Sequence, residues 1–238
     1  MALHYGKHVQ YPDGSGHYII YNRPIDTWDA GPKKAKKRAS VEFEEEGEAN
    51  ARDNEERACR RAKRTIRDYI LCNEFTHFVT LTYQPRYDTD ESRYDRLQNW
   101  LKYMRKKYGS FNYVLIPERD KKGKIHFHGV VDLEKFELVP AENKGRPLWH
   151  KGKKVYNMLE WESTGYSTAT VIKDKRKVAG YATKYITKNF ADTVGKNKKK
   201  YWCSKGLSTP VESSLKVIPQ FNRQADWEND YVKIYNIE

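Results

Sequence analysis

Two histidines one residue apart, in Lys124-Ile125-His126-Phe127-His128-Gly129-Val130-Val131, are the side chains of this chain best spaced for chemistry. In a β-strand residues i and i+2 share a face. His126 and His128 would then stand side by side, roughly 7 Å apart at the backbone, with Phe127 turned into a core. Two imidazoles on one face suit a divalent ion such as Zn, Mn or Fe, and Mg or Mn if a carboxylate joins them. Glu118 can be that carboxylate. It ends the apolar run Tyr113-Val114-Leu115-Ile116-Pro117, and the turn-like Arg119-Asp120-Lys121-Lys122-Gly123 folds the chain back toward the histidines. A strand with two surface histidines is the plainer alternative.

A second group lies at Val178-Ala179-Gly180-Tyr181-Ala182-Thr183-Lys184-Tyr185-Ile186-Thr187-Lys188. On a helix Tyr181 and Tyr185 stack one turn apart, and Lys184 and Lys188 repeat at the same spacing. A phenol with a pKa near 10 is a weak nucleophile until something favours its phenolate. A nearby ammonium does so by charge, and a metal ion polarises a phosphate under attack. Tyrosines that pack and lysines that stay wet would look the same in sequence.

The elements that must position these groups follow from periodicity. Phe75 to Tyr83 reads as a strand ended by Gln84-Pro85, with His77 structural. Ser92 to Tyr108 is an amphipathic helix carrying Tyr94, Leu97, Trp100, Leu101, Met104 and Tyr108 on one side, closed by Gly109. The 111–133 hairpin follows, then a 134–165 insertion or long connection, then a strand from Tyr166 to Ile172. Upstream, Asn50 to Cys72 is a helix with Ala58, Ala62, Ile66 and Tyr69/Ile70 as its apolar stripe. Seven basic residues between Arg52 and Arg67 crowd the rest of its surface, either as a solvated face or as a face for a phosphate backbone. The first 30 residues hold one short β-like run, His17 to Tyr21, and leave His4 and His8 as unassigned surface residues. The stretch 31–50 is charge-segregated and reads as a solvated linker. The expected plan is a 1–50 N-terminal segment with linker, a 51–218 domain, and a 219–238 tail packing on it.

With 238 residues and a net charge of +13, the chain can bury a sizeable core and favours a polyanionic partner, nucleic acid first. From Lys173 to Lys205 eleven Lys and Arg stand against Asp174 and Asp192. Lys173, Lys175, Arg176 and Lys177 precede the tyrosines and Lys196, Lys198, Lys199 and Lys200 follow them, a track for a DNA strand. Tyr201 and Trp202 could stack on bases, although burial of at least one is the better expectation. Cys59, Cys72 and Cys203 form neither a CxxC pair nor a disulfide framework, which fits a reducing, intracellular setting. No apolar run approaches the ~20 residues of a membrane span.

In this order, the Phe78–Tyr83 segment, the Glu118…His126-x-His128 hairpin and the tandem Tyr-x-x-Lys helix resemble the three motifs of HUH endonucleases. Within that group the likeness is to rolling-circle replication initiators of phages, plasmids and mobile elements. The resemblance spans about residues 75–190; Tyr201-Trp202-Cys203-Ser204-Lys205-Gly206-Leu207 also looks like sequence from this group. It implies an α+β fold, a central antiparallel sheet of about five strands flanked by helices in a ferredoxin-like (RRM-like) architecture. It implies Mg²⁺ or Mn²⁺ on Glu118, His126 and His128, with Tyr181 or Tyr185 attacking single-stranded origin DNA. The product would be a 5′-phosphotyrosyl enzyme and a free 3′-OH, and Lys184 and Lys188 would orient the phosphate. Partners implied are an origin hairpin and, since no P-loop is present, a host helicase and polymerase in a bacterial cytoplasm. A relaxase or transposase of the same chemistry, and a non-catalytic basic nucleic-acid-binding protein, are the alternatives.

Overall fold

The computed structural model describes residues 3–26, 44–187 and 200–237. In chain order its elements are β1 (Leu3–Gln10), β2 (Gly16–Asp26), α1 (Glu44–Cys72), β3 (His77–Leu81), α2 (Asp90–Tyr108), β4 (Tyr113–Arg119) and β5 (Ile125–Val131). A run of short strands follows: β6 (Leu138–Pro140), β7 (Glu142–Asn143), β8 (Arg146–Pro147), β9 (Trp149–His150), β10 (Lys153–Lys154) and β11 (Tyr156–Met158). Then come α3 (Leu159–Glu162), β12 (Ser167–Val171), α4 (Lys175–Thr187), β13 (Trp202–Cys203), β14 (Val211–Leu215), β15 (Trp227–Glu228) and β16 (Val232–Ile237). They gather into two units, Ala49–Ser208 and the two terminal segments Met1–Glu48 with Thr209–Glu238.

The larger unit is an α+β layer structure on a seven-stranded sheet of order β13-β4-β5-β3-β12-β11-β6. Every pair in it is antiparallel. The expected sheet is therefore present and wider, extended by β13 at one end and by β11 and β6 at the other. Strand alternation sorts the side chains into two cores. Leu115, Phe127, Val131, Val79 and Leu81 face α2, with Leu97, Trp100, Leu101 and Met104 opposite them. Val114, Ile116 and Val130 face the other way, onto Ala62, Ile66 and Ile70 of α1 and Val178, Ala179, Ala182 and Ile186 of α4. The sequence stripes of α1 and α2 are these buried faces.

Local chemistry fixes the ends of α2. The Thr89 hydroxyl accepts from the Ser92 N–H, a cap worth about 1 kcal/mol. Asp90 and Glu91 lie in the first turn and Arg105, Lys106 and Lys107 in the last, each sign matching the helix dipole. Two buried tryptophans pin α3 across the sheet end, Trp161 donating to the Thr82 carbonyl at 2.8 Å and Trp100 to that of Glu160 at 2.9 Å.

The expected insertion at 134–165 is ordered as a small arm. Its base is closed by three backbone bonds, Ala141 to Val155, Leu148 to Ala141 and Val155 to Leu148. Two tight hairpins stand on that base, β7–β8 and β9–β10. Their turns, Lys144-Gly145 and Lys151-Gly152, have all four φ angles between 50° and 74°, the positive values a two-residue hairpin turn demands.

The terminal unit departs from the expected plan of a linker and a tail. β1 and β2 form a hairpin, β14 pairs with β1, and β16 pairs with β2, giving the order β14-β1-β2-β16-β15. A lone hairpin is marginal in water, and the C-terminal segment supplies the missing strands on both sides of it. His8, Tyr18 and Tyr235 fall in one cross-strand row. Their rings stack with Phe221, His8 on Tyr18 at 4.4 Å between centroids and Phe221 on Tyr235 at 3.8 Å. The C-terminal aromatics thus pack here, where the sequence reading put them on the nuclease domain. Of the charged stretch 31–50, residues 31–43 lie outside the described residues and α1 begins at Glu44.

Candidate active site

The β4–β5 hairpin sets the geometry. Asp120 Oδ1 accepts from the N–H groups of both Lys122 and Lys124 at 2.8 Å, and Gly123 takes the left-handed φ of 76°. In the resulting register Glu118 lies opposite His126 and Ile116 opposite His128, while on the other side Thr80 of β3 also faces His128. Parity then places Glu118, His126 and His128 on the α1–α4 face of the sheet, and Phe127 is fully buried on the other face, as its position between the histidines requires.

Glu118 Oε2 lies 2.9 Å from His128 Nε2. Thr80 Oγ1 is 3.0 Å from the other ring nitrogen, Nδ1. Burial, and then the charge of His126, pull the His128 pKa down to about 4, so the ring is neutral. A neutral imidazole has one donor and one acceptor nitrogen, and the threonine hydroxyl can satisfy Nδ1 in either tautomer. His126 turns aside: its Nε2 is 3.9 Å from Asp120 Oδ2, and its ring centroid is 5.9 Å from that of His128.

α4 covers this cluster. The Tyr185 ring lies flat on His128, centroids 4.3 Å apart and planes within 10°. Tyr181 meets Tyr185 edge-on at 5.3 Å, and both contact Phe78. Burial, a hydrogen bond with Tyr181 and the Glu118 carboxylate all push the Tyr185 phenol well above its ordinary range. Tyr181 is the more open of the two, 40% exposed. The helix itself is anchored by Val178, Ala179, Ala182 and Ile186, the i, i+4 and i+8 positions of one stripe with a neighbour. Lys184 is exposed on the same helix.

The residues named from sequence sort as follows. Glu118, His126, His128, Tyr181 and Tyr185 converge on one side of the sheet. Among the basic track, Lys173, Arg176 and Lys177 are exposed. Lys175 is bound to Glu74 at 2.5 Å and Lys177 reaches Asp174 at 3.5 Å. Lys200 is half-buried, while Lys188, Lys196, Lys198 and Lys199 lie outside the described residues. Trp202 is core, stacked on Tyr94 at 5.0 Å, and Tyr201 packs against the α1–α4 cluster. Sequence reasoning missed Thr80 and Phe78, whose alternation was legible but whose register against β5 was not. It also missed the arm, which with Phe78, β12 and α4 walls a cavity of about 550 Å³ beside the tyrosines.

The donors can be tested against a metal ion. Among the described residues no three His, Cys, Asp or Glu side chains are gathered into a ready-made metal group. Glu118 and His128 nevertheless fit as a pair: adjacent ligands of an octahedral Mg²⁺ with bonds near 2.1 Å lie about 3 Å apart, and these two atoms are 2.9 Å apart. One nitrogen and one carboxylate oxygen form a donor set for Mn²⁺ or Mg²⁺.

Residues 76–190 match the family model of the ORF2-type replication-associated proteins. The match supports a replication initiator of Rep type. It begins in front of β3 and runs past the end of α4, so it takes in the hairpin, the arm and both tyrosines. No curated protein and no solved structure matches the chain. No described helix is long and apolar enough to cross a membrane.

Proposed function

We propose that the 49–208 unit is an HUH-type nickase that cuts and rejoins single-stranded origin DNA through a tyrosine, with the aid of Mg²⁺ or Mn²⁺. The observation that carries this reading is the flat contact of Tyr185 on His128. Two motifs more than fifty residues apart in sequence meet there, a nucleophile at a metal ligand. Glu118 and His128 hold the ion, and His126 joins them by turning its ring from Asp120. When bound, the ion withdraws charge from the phosphate under attack and lowers the cost of the phenolate.

The chain's own groups do the rest. A tyrosine oxygen attacks phosphorus, the 3′-oxygen leaves, and the strand stays joined to the enzyme by a 5′-phosphotyrosyl ester. The bond is exchanged without hydrolysis, so attack by a 3′-OH reverses it. The hydrogen-bonded Tyr181–Tyr185 pair can pass a proton from one phenol to the other, so that one is ready while the other carries DNA. Burial and Glu118 keep Tyr185 protonated at rest, which makes the open Tyr181 the first to meet a strand. Lys184 and Lys188 complement phosphate charge, and a host helicase and polymerase use the freed 3′-OH. Compartment and host follow from that reading: the cytoplasm of a bacterial cell carrying the element.

The test is a labelled single strand from the element's own origin, incubated with Mn²⁺ or with EDTA. Wild type should give a protease-sensitive protein–DNA adduct only with metal, Tyr181→Phe and Tyr185→Phe each less, and the double substitution none. DNA that is bound equally by all variants and never joined would instead make the unit a non-catalytic binding module.

A further inference from the structure

The cavity beside the tyrosines is absorbed by nothing in that chemistry, and its walls come from parts of the chain that the metal hairpin does not use. Phe78, Leu148, Val155 and Val178 give it apolar sides. Thr168 and Thr170, alternate residues on β12, bring two hydroxyls to the same face. At the rim stand Lys151 and Lys153 from the arm and Lys177 from α4. The β9–β10 hairpin aims these groups by parity: His150 and Lys153 are paired and line the cavity, while Trp149 and Lys154 are the neighbouring pair and do not. The Lys151 ammonium lies 5.8 Å from the Tyr181 ring centre, so arm and nucleophile helix share one opening.

Flat apolar walls with aromatic rings, a few fixed hydroxyls inside and cations at the mouth are the complement of a nucleotide. The base enters the dry part, hydroxyls meet its edge, and phosphates stay outside with the lysines. The volume, about 550 Å³, falls within the roughly 300–1,000 Å³ of small-ligand sites. We propose that this cavity receives one unstacked base of the DNA strand next to the phosphate being cut, and that Thr168 and Thr170 read it. The arm is then the element that sets which sequence is cut. This assignment rests on the nickase reading for its substrate, but it concerns binding and is tested without cleavage.

The experiment is selection of bound strands from a random single-stranded DNA pool in EDTA, using the full-length protein. Wild type should enrich one base at one position by roughly tenfold or more, as a good set of edge contacts gives. Thr168→Val with Thr170→Val should erase the preference at that position and leave others unchanged. Thr170→Phe, which fills the cavity, should do the same by a different route, so a poorly folded variant does not decide the matter. Lys151→Ala with Lys153→Ala should weaken binding to all sequences alike and keep the preference. A wild type with no preferred base, a preference that survives filling, or one that decays evenly at all positions overturns the pocket. The nickase reading stands or falls separately, on the adduct formed by Tyr181 and Tyr185.

Discussion

Thr80 faces His128 from the neighbouring strand, and its hydroxyl decides how that imidazole presents itself. For Nε2 to bind an ion, the ring proton must sit on Nδ1, where Thr80 Oγ1 at 3.0 Å accepts it. Thr80→Val keeps the shape and removes the acceptor. Loss of such an outer partner weakens metal binding about 10- to 100-fold, so Mn²⁺ titration followed by calorimetry should show a drop of that size; equal affinity would mean the ring is oriented by something else. The same histidine makes the metal-free protein acid-sensitive. Folded, its pKa is about 4; unfolded, about 6.5. Between these values only the unfolded chain takes the proton, so the stabilisation is complete above pH 6.5 and lost as pH falls toward 4, on the order of 3 kcal/mol. Urea midpoints measured in EDTA from pH 7.5 to 4 should fall less steeply for His128→Gln than for wild type. Parallel curves would show that His128 is not the buried group. At this scale the histidines, Glu118 and the tyrosines were legible because spacing alone sets their faces. Thr80 was not, because its role depends on which strand lies next to β5.

Among the elements, the β4–β5 pair is held to an unusually close approach at Gly129. A Cβ there would sit 1.9 Å from the Val114 carbonyl oxygen, so the strands must part to admit one. Gly129→Ala should cost about 3 kcal/mol or more, toward and beyond the upper end of overpacking in cores. Chemical denaturation measures it, and a change below 1 kcal/mol would mean the hairpin yields freely. Metal affinity should fall with it, because His128 is the next residue. Helices α1, α2 and α4 were readable from their apolar stripes. The arm was not: strands of two or three residues carry no periodicity, and only its two Lys-Gly turns hint at hairpins.

At the level of the molecule, charge follows the division into units. Of the 45 Lys and Arg, 35 lie in 49–208 against 19 of the 32 acids, leaving the terminal segments with more acids than bases. Both hydrophobic cores around the site also lie within 49–208. That fragment alone should therefore unfold cooperatively. Its affinity for single-stranded DNA should fall with salt as steeply as that of the whole chain, about 0.7 in log–log slope for each phosphate neutralised. A slope shallower by more than one would place DNA contacts on the terminal unit. Two units were not legible in sequence, because strands that pair across most of the chain share no local pattern.

That long-range pairing also dictates an order of events at the ribosome. The β1–β2 hairpin is made first, yet the strands that flank it, β14 and β16, lie beyond residue 210. At the usual ~5–20 residues per second, the hairpin waits roughly 10–40 s for its partners. The whole 49–208 unit emerges in that interval. The segment that cuts DNA is thus completed before the sheet built from the chain's two ends, and a product whose synthesis stops near residue 210 would carry a finished nuclease beside an unpaired hairpin.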